Sequence, residues 1–256
     1  MKFIDLNCDM GESFGAYKLG MDEEVIKLIT SANIACGFHA GDPNVMDQTV
    51  AMAKEFGVGV GVHMGYPDLH GFGRRDMDIS KRDLVNYIIY QIGALEAFCR
   101  KHRVDIQHIK SHGSMGNMSY VNRNVAEAVV EAVSLVLPEA KLFVIEGTEV
   151  HKAAVEKGVS VVFEVFADRA YTKEGTLVSR KFPGAVIKNP DVAADNIVRM
   201  VIEGKAKTLD GDYIPMKADS VCVHGDTAGA LEIVRRVKTR LDEAGVTVAP
   251  VGTWHK

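Results

Sequence analysis

Short apolar segments alternate with amphipathic helical segments along this chain, and this order restricts the fold more than any other feature. Each apolar segment is followed by a polar or glycine-rich turn and then by a helical pattern, which is typical of parallel sheets. Seven segments are predicted to be strands: Lys2–Asp9, Ala32–Phe38, Val58–His63, Ile106–His112, Lys141–Glu146, Ser160–Asp168 and Ser220–His224. The order alone fits either an open doubly wound sheet or a closed barrel.

Four of the intervening segments carry clear helical signals. The first begins at Ser80, in a sequence that resembles a capping box, and continues as an apolar stripe with helical spacing. The second has valines at every fourth position and ends before Pro138. The third is predicted to follow Pro190, and the fourth to follow Asp226 and Thr227.

One segment, Lys205–Met216, interrupts the alternation. It holds Asp210-Gly211 between short β-like runs, which predicts a hairpin rather than a helix. A chain of 256 residues lies near the upper size of a single hydrophobic core. We therefore expect one domain over residues 1–256, with a small β-hairpin insertion around 205–216.

The parity of the strand residues separates the two sheet alternatives. Side chains alternate across a strand, so Asp5, Asn7 and Asp9 share the face opposite three apolar residues. Strands of an open parallel sheet are covered on both faces and read as continuous apolar runs. Because one face of these strands is polar, the pattern favours a closed barrel with a polar lumen. The other residues of the polar parity are Asn33, His39, His63, His108, Lys110, His112, Glu164, Asp168, Cys222 and His224.

A polar lumen of this kind indicates function. Burying many ionisable groups costs several kcal/mol unless they are paired, hydrated or binding something. Active sites of β/α barrels lie at the C-terminal ends of the strands, where these polar residues collect. We therefore expect an enzyme whose active site lies at that end.

Acidic and imidazole groups are the first candidates. Asp5 to Ser13 places several oxygen-bearing side chains in one turn, which suits acid–base chemistry or a hydrogen-bonded strand end. Four histidines end predicted strands, where they either bind Zn²⁺ or Mn²⁺ or shape a polar pocket. No HExxH motif is present, so no metal is assigned. The candidate metal ligands are His39, His63, His112 and His224.

Cationic side chains are the second group. Lys110 lies between two lumen histidines and is either paired with an acid of the sixth strand or desolvated as a base or electrostatic clamp. Arg74 and Arg75 lie in a glycine-containing loop, and Arg169 follows the sixth strand. Each arginine is either solvated or positioned to capture a carboxylate or phosphate.

Composition and motifs argue against several kinds of binding partner. A formal net charge of −4 argues against a nucleic-acid partner. No secretory signal and no apolar run of about 18 residues is present, which argues against a membrane partner. The four widely spaced cysteines fit reduced thiols and a cytoplasmic location. A homo-oligomer is compatible with the sequence, and no familiar nucleotide-binding loop is present.

Six motifs in order, from the N-terminus to about Gly245, make the chain similar to the LamB/YcsF family. They are Asp5–Gly15, Ser31–Pro43, Gly65–Asp68, Gly71–Arg75, Glu164–Tyr171 and Cys222–Thr227. The resemblance implies a seven-stranded, TIM-like β/α barrel of the glycoside hydrolase/deacetylase type. It also implies ATP-driven opening of the 5-oxoproline lactam (pyroglutamate) to L-glutamate by a 5-oxoprolinase complex. This chain would be the A subunit of that complex beside subunits B and C, with ATP as co-substrate.

Two motifs depart from the family pattern. Lys-Pro-His-Gly-Ala-Leu-Tyr-Asn reads Lys-Ser-His-Gly-Ser-Met-Gly-Asn over Lys110–Asn117, and His-Pro-Gly-Tyr reads His-Met-Gly-Tyr over His63–Tyr66. Gly116 therefore removes an aromatic ring. If that ring shapes the pocket, substrate affinity or choice differs in this chain.

For the implied reaction, we expect Asp9 or Asp5 to activate water, while Lys110 and His112 stabilise developing charge. The remaining pocket residues are Asn7, Asn33, His39, His63, Arg74, Arg75, Glu164, Asp168, Arg169 and His224. Two alternatives remain open. One is a metal-dependent deacetylase of an N-acetylated sugar, and the other is a lactam-binding subunit without catalytic function.

Overall fold

The computed structural model describes residues 2–225 and 229–255, in which ten strands and nine α-helices lie. The strands are β1 (Lys2–Met10), β2 (Ser31–Ala35), β3 (Gly59–Met64), β4 (Ile106–Ser111), β5 (Lys141–Val144), β6 (Val161–Phe166), β7 (Lys205–Lys207), β8 (Tyr213–Pro215), β9 (Ser220–Val223) and β10 (Val246–Val248). The helices are α1 (Asp22–Val25), α2 (Pro43–Phe56), α3 (Lys81–His102), α4 (Gly113–Val121), α5 (Arg123–Val136), α6 (Glu149–Lys157), α7 (Pro190–Glu203), α8 (Ala230–Glu243) and α9 (Val251–Trp254).

Seven parallel strands close into a barrel. Their order is β1-β2-β3-β4-β5-β6-β9, and β9 pairs again with β1. The predicted seven-stranded β/α barrel is therefore confirmed. The short strand β10 is not one of these seven strands, and it pairs in parallel with Lys2–Ile4 at the start of β1. Its three residues are too few for an alternating pattern to reveal it in the sequence.

The predicted strands agree with the observed ones, although several end earlier than expected. β2 ends at Ala35, because Gly37 adopts a φ of 89° and its N–H donates to Ala40 O. His39 therefore lies in the loop after β2. His112 and His224 likewise follow the last residues of β4 and β9. All three histidines remain at the C-terminal end of the barrel.

The four predicted helices are present as α3, α5, α7 and α8. Ser80 caps α3, because its side chain accepts a hydrogen bond from the Asp83 N–H. Asn122 caps α5 in the same way, and α7 begins at Pro190. Asp226 and Thr227, expected just before α8, lie outside the described residues. None of the described helices is both long enough and apolar enough to cross a membrane.

Helix α9 closes the N-terminal end of the lumen. Val251 of this helix is fully buried and packs with Phe143 and Val162. Trp254 joins the same cluster, and its ring stacks on Phe3. Since this end is filled by apolar side chains, a ligand reaches the lumen from the C-terminal ends of the strands.

The segment between α7 and β9 forms a separate two-stranded sheet. Lys205–Lys207 of β7 pairs antiparallel with Tyr213–Pro215 of β8. A bridge between Thr208 and Tyr171 connects this sheet to the loop after β6. The assignment of residues 1–256 to one domain stays a prediction.

Candidate active site

Polar side chains fill the lumen in two layers, which we name by their distance from the closed end. The lower layer consists of Asp5, Asn7, Ser31, Asn33, Gln107, His108, Glu164 and Ser220. The upper layer, at and just beyond the C-terminal strand ends, consists of Asp9, Glu12, His39, His63, Lys110, His112, Cys222 and His224. The side chains of the lower layer are buried except for the part-buried Gln107, and those of the upper layer are buried except for His224, which is slightly exposed.

Hydroxyl groups surround Asp5 in the lower layer. Its carboxylate accepts hydrogen bonds from Ser31 Oγ at 2.6 Å, from Thr30 Oγ1 at 2.8 Å and from Ser220 Oγ. Burial raises the pKa of Asp5 to about 6, and the hydroxyls and the Val251 N–H offset only part of that rise. A buried carboxylate with neutral donors alone is expected to behave in this way.

Amide side chains connect the two layers. Asn33 Nδ2 donates to Asn7 Oδ1 at 2.7 Å and to Asp9 Oδ1 at 2.8 Å. Asn7 Nδ2 in turn donates to Ser220 Oγ at 2.7 Å and to Glu164 Oε1 at 3.0 Å. Because these amides bridge strands β1, β2, β6 and β9, they orient Asp9 from below.

A bulge and two glycines make room for the β4 side chains in the lower layer. The β3–β4 register shifts at Val60/Gly61, which places both Gln107 and His108 against glycines of β3. A Cβ at Gly61 would lie 2.0 Å from His108 Nε2, so only glycine leaves space for that ring. The ring stacks on Phe143, and its Nε2 lies 2.7 Å from Asn33 Oδ1.

Lys110 lies at the centre of the upper layer. Its Nζ is 3.0 Å from both Asp9 Oδ1 and Glu164 Oε1, and it donates to Cys222 Sγ at 2.9 Å. Burial lowers the pKa of Lys110, but Asp9, Cys222 and Glu164 outweigh it and hold that pKa well above its ordinary value. The lysine is therefore a charged group paired with an acid of β6, which is the first of the two possibilities that the sequence left open.

Asp9 is held in its ionised form. Burial raises its pKa, but His63 and Lys110 outweigh burial and hold the pKa well below its ordinary value. Asp9 Oδ1 accepts from Asn33 and Lys110, whereas Oδ2 lies 3.4 Å from His63 Nε2. The second oxygen faces the imidazoles of the upper layer.

Three histidines and one glutamate form a compact group, which we call the histidine cluster: Glu12, His39, His63 and His112. Glu12 Oε1 lies 3.6 Å from His39 Nε2 and 3.7 Å from His112 Nδ1. The rings of His39 and His112 stack with centroids 3.8 Å apart, and His63 meets both edge-on. Its donor set of three imidazoles and one carboxylate is of the kind that binds divalent transition metals.

His224, the fourth histidine expected as a metal ligand, lies outside this cluster. Its Nδ1 is 2.8 Å from Asp168 Oδ1, and its ring stacks on Phe166. It is grouped instead with Asp9 and Cys222. Glu12 takes the fourth position in the histidine cluster, and its place in the acidic turn after β1 was the signal that could have identified it.

A cavity of about 430 Å³ opens above Asp9 and Lys110. Its walls come from the loops after β3, β4, β6 and β9, together with α4. Its described lining contains one carboxylate, Asp9, against five cations. These cations are Arg74, Lys110, Arg169, Arg180 and Lys181. Such a surplus of positive charge suits an anionic ligand.

The structure brings half of the expected site residues to this cavity: Asp9, His63, Arg74, Lys110, His112, Arg169 and His224. Asn7, Asn33 and Glu164 lie below it and bond to its walls, Asp168 holds His224, and His39 lies behind in the histidine cluster. Asp5 and Arg75 do not reach it.

Adjacent arginines have different positions. Arg75 pairs with Asp68, and its side chain is 66% exposed. Arg74 lines the cavity and stacks over Phe72 at 4.9 Å. Arg169 is buried, which lowers its pKa to about 10, with Arg180 contributing. Sequence reasoning did not separate these environments.

Several cavity residues were missed by sequence reasoning, including Tyr120, Phe166, Arg180 and Lys181. Phe166 shares the inward parity of Glu164, so the strand pattern held that signal. Gly116, where the family pattern has an aromatic ring, also lines the cavity. A Cβ at Gly116 would lie 2.9 Å from the Ser111 carbonyl oxygen, so a larger residue requires a backbone shift.

Comparisons with known proteins agree on one family. The family model described as the LamB/YcsF family matches residues 4–256. The chain is similar to the 5-oxoprolinase A subunit of Clostridium beijerinckii, with 50% identity over 97% of each chain. It is also similar to the 5-oxoprolinase A subunit of Natranaerobius thermophilus, with 48% identity over 99% of each chain.

Solved structures show the same fold. The lactam utilization protein of Thermus thermophilus superposes with a TM-score of 0.92 at 42% identity, covering 97% of this chain and 99% of that one. The family 4 carbohydrate esterase of Streptomyces lividans superposes with a TM-score of 0.51 at 10% identity, covering 96% of this chain and 91% of that one. The second likeness concerns the barrel alone.

Proposed function

The chain belongs to the LamB/YcsF family, and from that premise we propose that it is the A subunit of an ATP-dependent 5-oxoprolinase. The complex would open the 5-oxoproline lactam to L-glutamate. Relatives at 47–50% identity bear the name of that subunit, which supports the proposal. The observation that carries it is the cavity, where an ionised Asp9 faces five cations suited to a carboxylate-bearing substrate.

Chemistry explains why ATP is needed. A γ-lactam is unstrained and its amide carbonyl is a poor electrophile, so we propose that the γ-phosphoryl group of ATP is transferred to the amide oxygen. This transfer releases ADP. A first water then adds to the ring carbon, and the C–N bond of the adduct breaks to give a free amine and a γ-glutamyl phosphate. A second water hydrolyses this acyl phosphate to glutamate and phosphate. ATP is a co-substrate of the complex with subunits B and C. The four free cysteines support a cytoplasmic location.

We assign roles by position. Asp9 orients the water, since its Oδ2 is not held by Lys110 or Asn33. The pairing that keeps Asp9 ionised also makes it a weak base. It would take the proton as Lys110 turns its charge toward the substrate oxygen, with the ring of His112 in the cavity wall beside it. Arg74 and Arg169 would hold the substrate carboxylate at the cavity wall.

The test is reconstitution of the three subunits and measurement of ATP-dependent glutamate formation from 5-oxoproline. Omitting this chain should abolish glutamate formation. Asp9→Asn should lower kcat by roughly 10²–10⁴-fold. Asp5→Asn is the matched control, with the same change on the same strand and parity, and should retain turnover. Full activity in a folded Asp9→Asn variant would remove Asp9 from the mechanism.

The histidine cluster favours a second candidate, a metal-dependent deacetylase of an N-acetylated sugar. That enzyme would release acetate without ATP and lose activity on chelation. A third possibility, lactam binding without catalysis, would bind 5-oxoproline in calorimetry yet keep turnover in the Asp9→Asn complex. The same set of assays separates all three.

A further inference from the structure

The hydrogen bonds of two imidazoles indicate where their protons lie. His63 Nδ1 is 3.2 Å from the Lys110 carbonyl oxygen, and His112 Nε2 is 2.8 Å from the Phe72 carbonyl oxygen. A carbonyl oxygen can only accept, so these two nitrogens carry the N–H groups. A neutral imidazole has one N–H, and its other nitrogen is therefore a lone pair.

The remaining nitrogens of these rings face each other. When both rings are neutral, the lone pairs of His63 Nε2 and His112 Nδ1 face each other 3.0 Å apart and repel. Positive charge beside Asp9, either an extra proton on His63 or a bound metal cation, removes the repulsion, and the experiment below separates the two. With a metal cation, the pair has the geometry of two ligands converging on one ion. Metal-binding histidines commonly donate their second N–H to a backbone carbonyl, as both rings do here.

His39 supplies an independent observation. Its side chain is completely buried, yet neither ring nitrogen has a hydrogen-bond partner among residues 2–225 and 229–255. Its Nε2 points to the same region, 3.6 Å from Glu12 Oε1. A buried imidazole of this kind is unfavourable without a partner. An ion bound to Nε2 would supply that partner.

The spacing of the donor atoms matches a tetrahedral metal site. One atom from each of the four residues lies within 4.8 Å of all the others. The separations of 3.0, 3.6 and 3.7 Å bracket the edge of a tetrahedron, about 3.3 Å for zinc ligands at their usual bond lengths.

We infer that Glu12, His39, His63 and His112 bind one divalent transition-metal ion, with zinc as the reference ion. The inference goes beyond the lactam proposal and does not depend on it. The site adjoins the cavity, because Asp9 Oδ2 lies 3.4 Å from His63 Nε2. A metal there would polarise a substrate oxygen or activate a water beside Asp9.

The second donor group, Asp9, Cys222 and His224, does not share these features. Lys110 donates to both Asp9 and Cys222, and His224 Nδ1 is bonded to Asp168. These atoms already have partners within the protein. The two groups therefore predict opposite outcomes when zinc binding is measured in variants of His39 and His224.

The experiment uses the isolated full chain, stripped with a chelator and dialysed against Zn²⁺. Mass spectrometry of the metal should find about one zinc per chain, and Co²⁺ loading should give the visible absorption of a tetrahedral site. His39→Gln and Glu12→Gln should weaken zinc binding by more than the roughly 10–100-fold that follows loss of an outer-shell partner. His224→Gln, at the same end of the barrel, should keep the ion.

Two results would overturn the inference. One is a wild-type chain, folded by near-ultraviolet circular dichroism, that holds no stoichiometric zinc. The other is loss of zinc in His224→Gln with retention in His39→Gln, which would assign the ion to the other group. Circular dichroism of each variant separates lost ligation from lost folding. Failure of the reconstituted complex to form glutamate would refute the lactam proposal and leave the metal content unchanged.

Discussion

The lower and upper layers of the lumen are both polar and both largely buried, yet they differ in how their polar atoms are paired. Around Asp5, hydroxyls and amides supply the donors that the acceptors need, although Nδ1 of His108 in the same layer lacks a hydrogen-bond partner in the part of the chain that the structure describes. Among the described residues, the lone pairs of His63 Nε2 and His112 Nδ1 face each other, and neither ring nitrogen of the buried His39 has a hydrogen-bond partner. Burial of a polar group is therefore weak evidence for function. Convergence of unpaired lone pairs is stronger evidence.

Two aspartates of β1 show the same contrast. Burial raises the pKa of Asp5 to about 6, because the groups that contact it are neutral. Burial also raises the pKa of Asp9, but His63 and Lys110 outweigh it and lower that pKa well below its ordinary value. The two residues are four positions apart and share one parity. What separates them is the cation that reaches across the lumen from β4.

The largest expected effect tests the role of Lys110 in the upper layer. Lys110→Met leaves Asp9 and Glu164 buried without their cation, so we expect a loss of about 3–5 kcal/mol in the free energy of unfolding. Urea denaturation measures it. Adding Glu164→Gln should restore part of the loss, because one buried charge is removed. Equal free energies of unfolding for Lys110→Met and wild type would show that Lys110 does not stabilise the buried charges of Asp9 and Glu164.

A pH series tests the lower layer. The pKa of Asp5 rises from 3.8 to about 6 on folding, so its contribution to stability is present below pH 4 and is lost as pH rises through 6. That shift corresponds to about 3 kcal/mol. The stability of Asp5→Asn relative to wild type should therefore improve between pH 4 and pH 7 in urea titrations. A pH-independent difference would contradict the raised pKa.

Adjacent arginines test which cations belong to the site. Arg74→Met should raise KM for 5-oxoproline by about 10–100-fold in the reconstituted complex, since a charged hydrogen bond contributes about 1.5–3 kcal/mol. Arg75→Met is the matched control, because its partner Asp68 lies outside the cavity. Its KM should be unchanged. Equal effects of the two substitutions would mean that the loop as a whole, rather than Arg74, binds substrate.

The smallest effect concerns Ser220. Ser220→Ala removes one donor from Asp5 and one acceptor from Asn7, while Ser31 and Thr30 still bond to Asp5. We expect a loss of about 1–2 kcal/mol in thermal or urea unfolding, with kcat nearly unchanged. A large fall in kcat without a loss of stability would show that the lower layer takes part in catalysis.

Much of the fold could be predicted from the sequence. The direction of a side chain on a strand is a local property with a period of two, so the polar parity of Asp5, Asn7 and Asp9 was enough to favour a closed barrel with a polar lumen. The Ser80 cap and the start of α7 at Pro190 are local in the same sense. Their signals lie within a few residues of the structure that they specify.

Pairing across the lumen was decided by the tertiary structure alone. Whether Asp5 or Asp9 meets Lys110 depends on the stagger between β1 and β4, and the bulge at Val60/Gly61 is part of that stagger. Glu12 enters the histidine cluster because the chain turns at Gly11, whose φ is 68°, whereas His224 is held away by Asp168. Strand stagger and loop paths arise from contacts between residues far apart in the chain, so no local pattern encodes them.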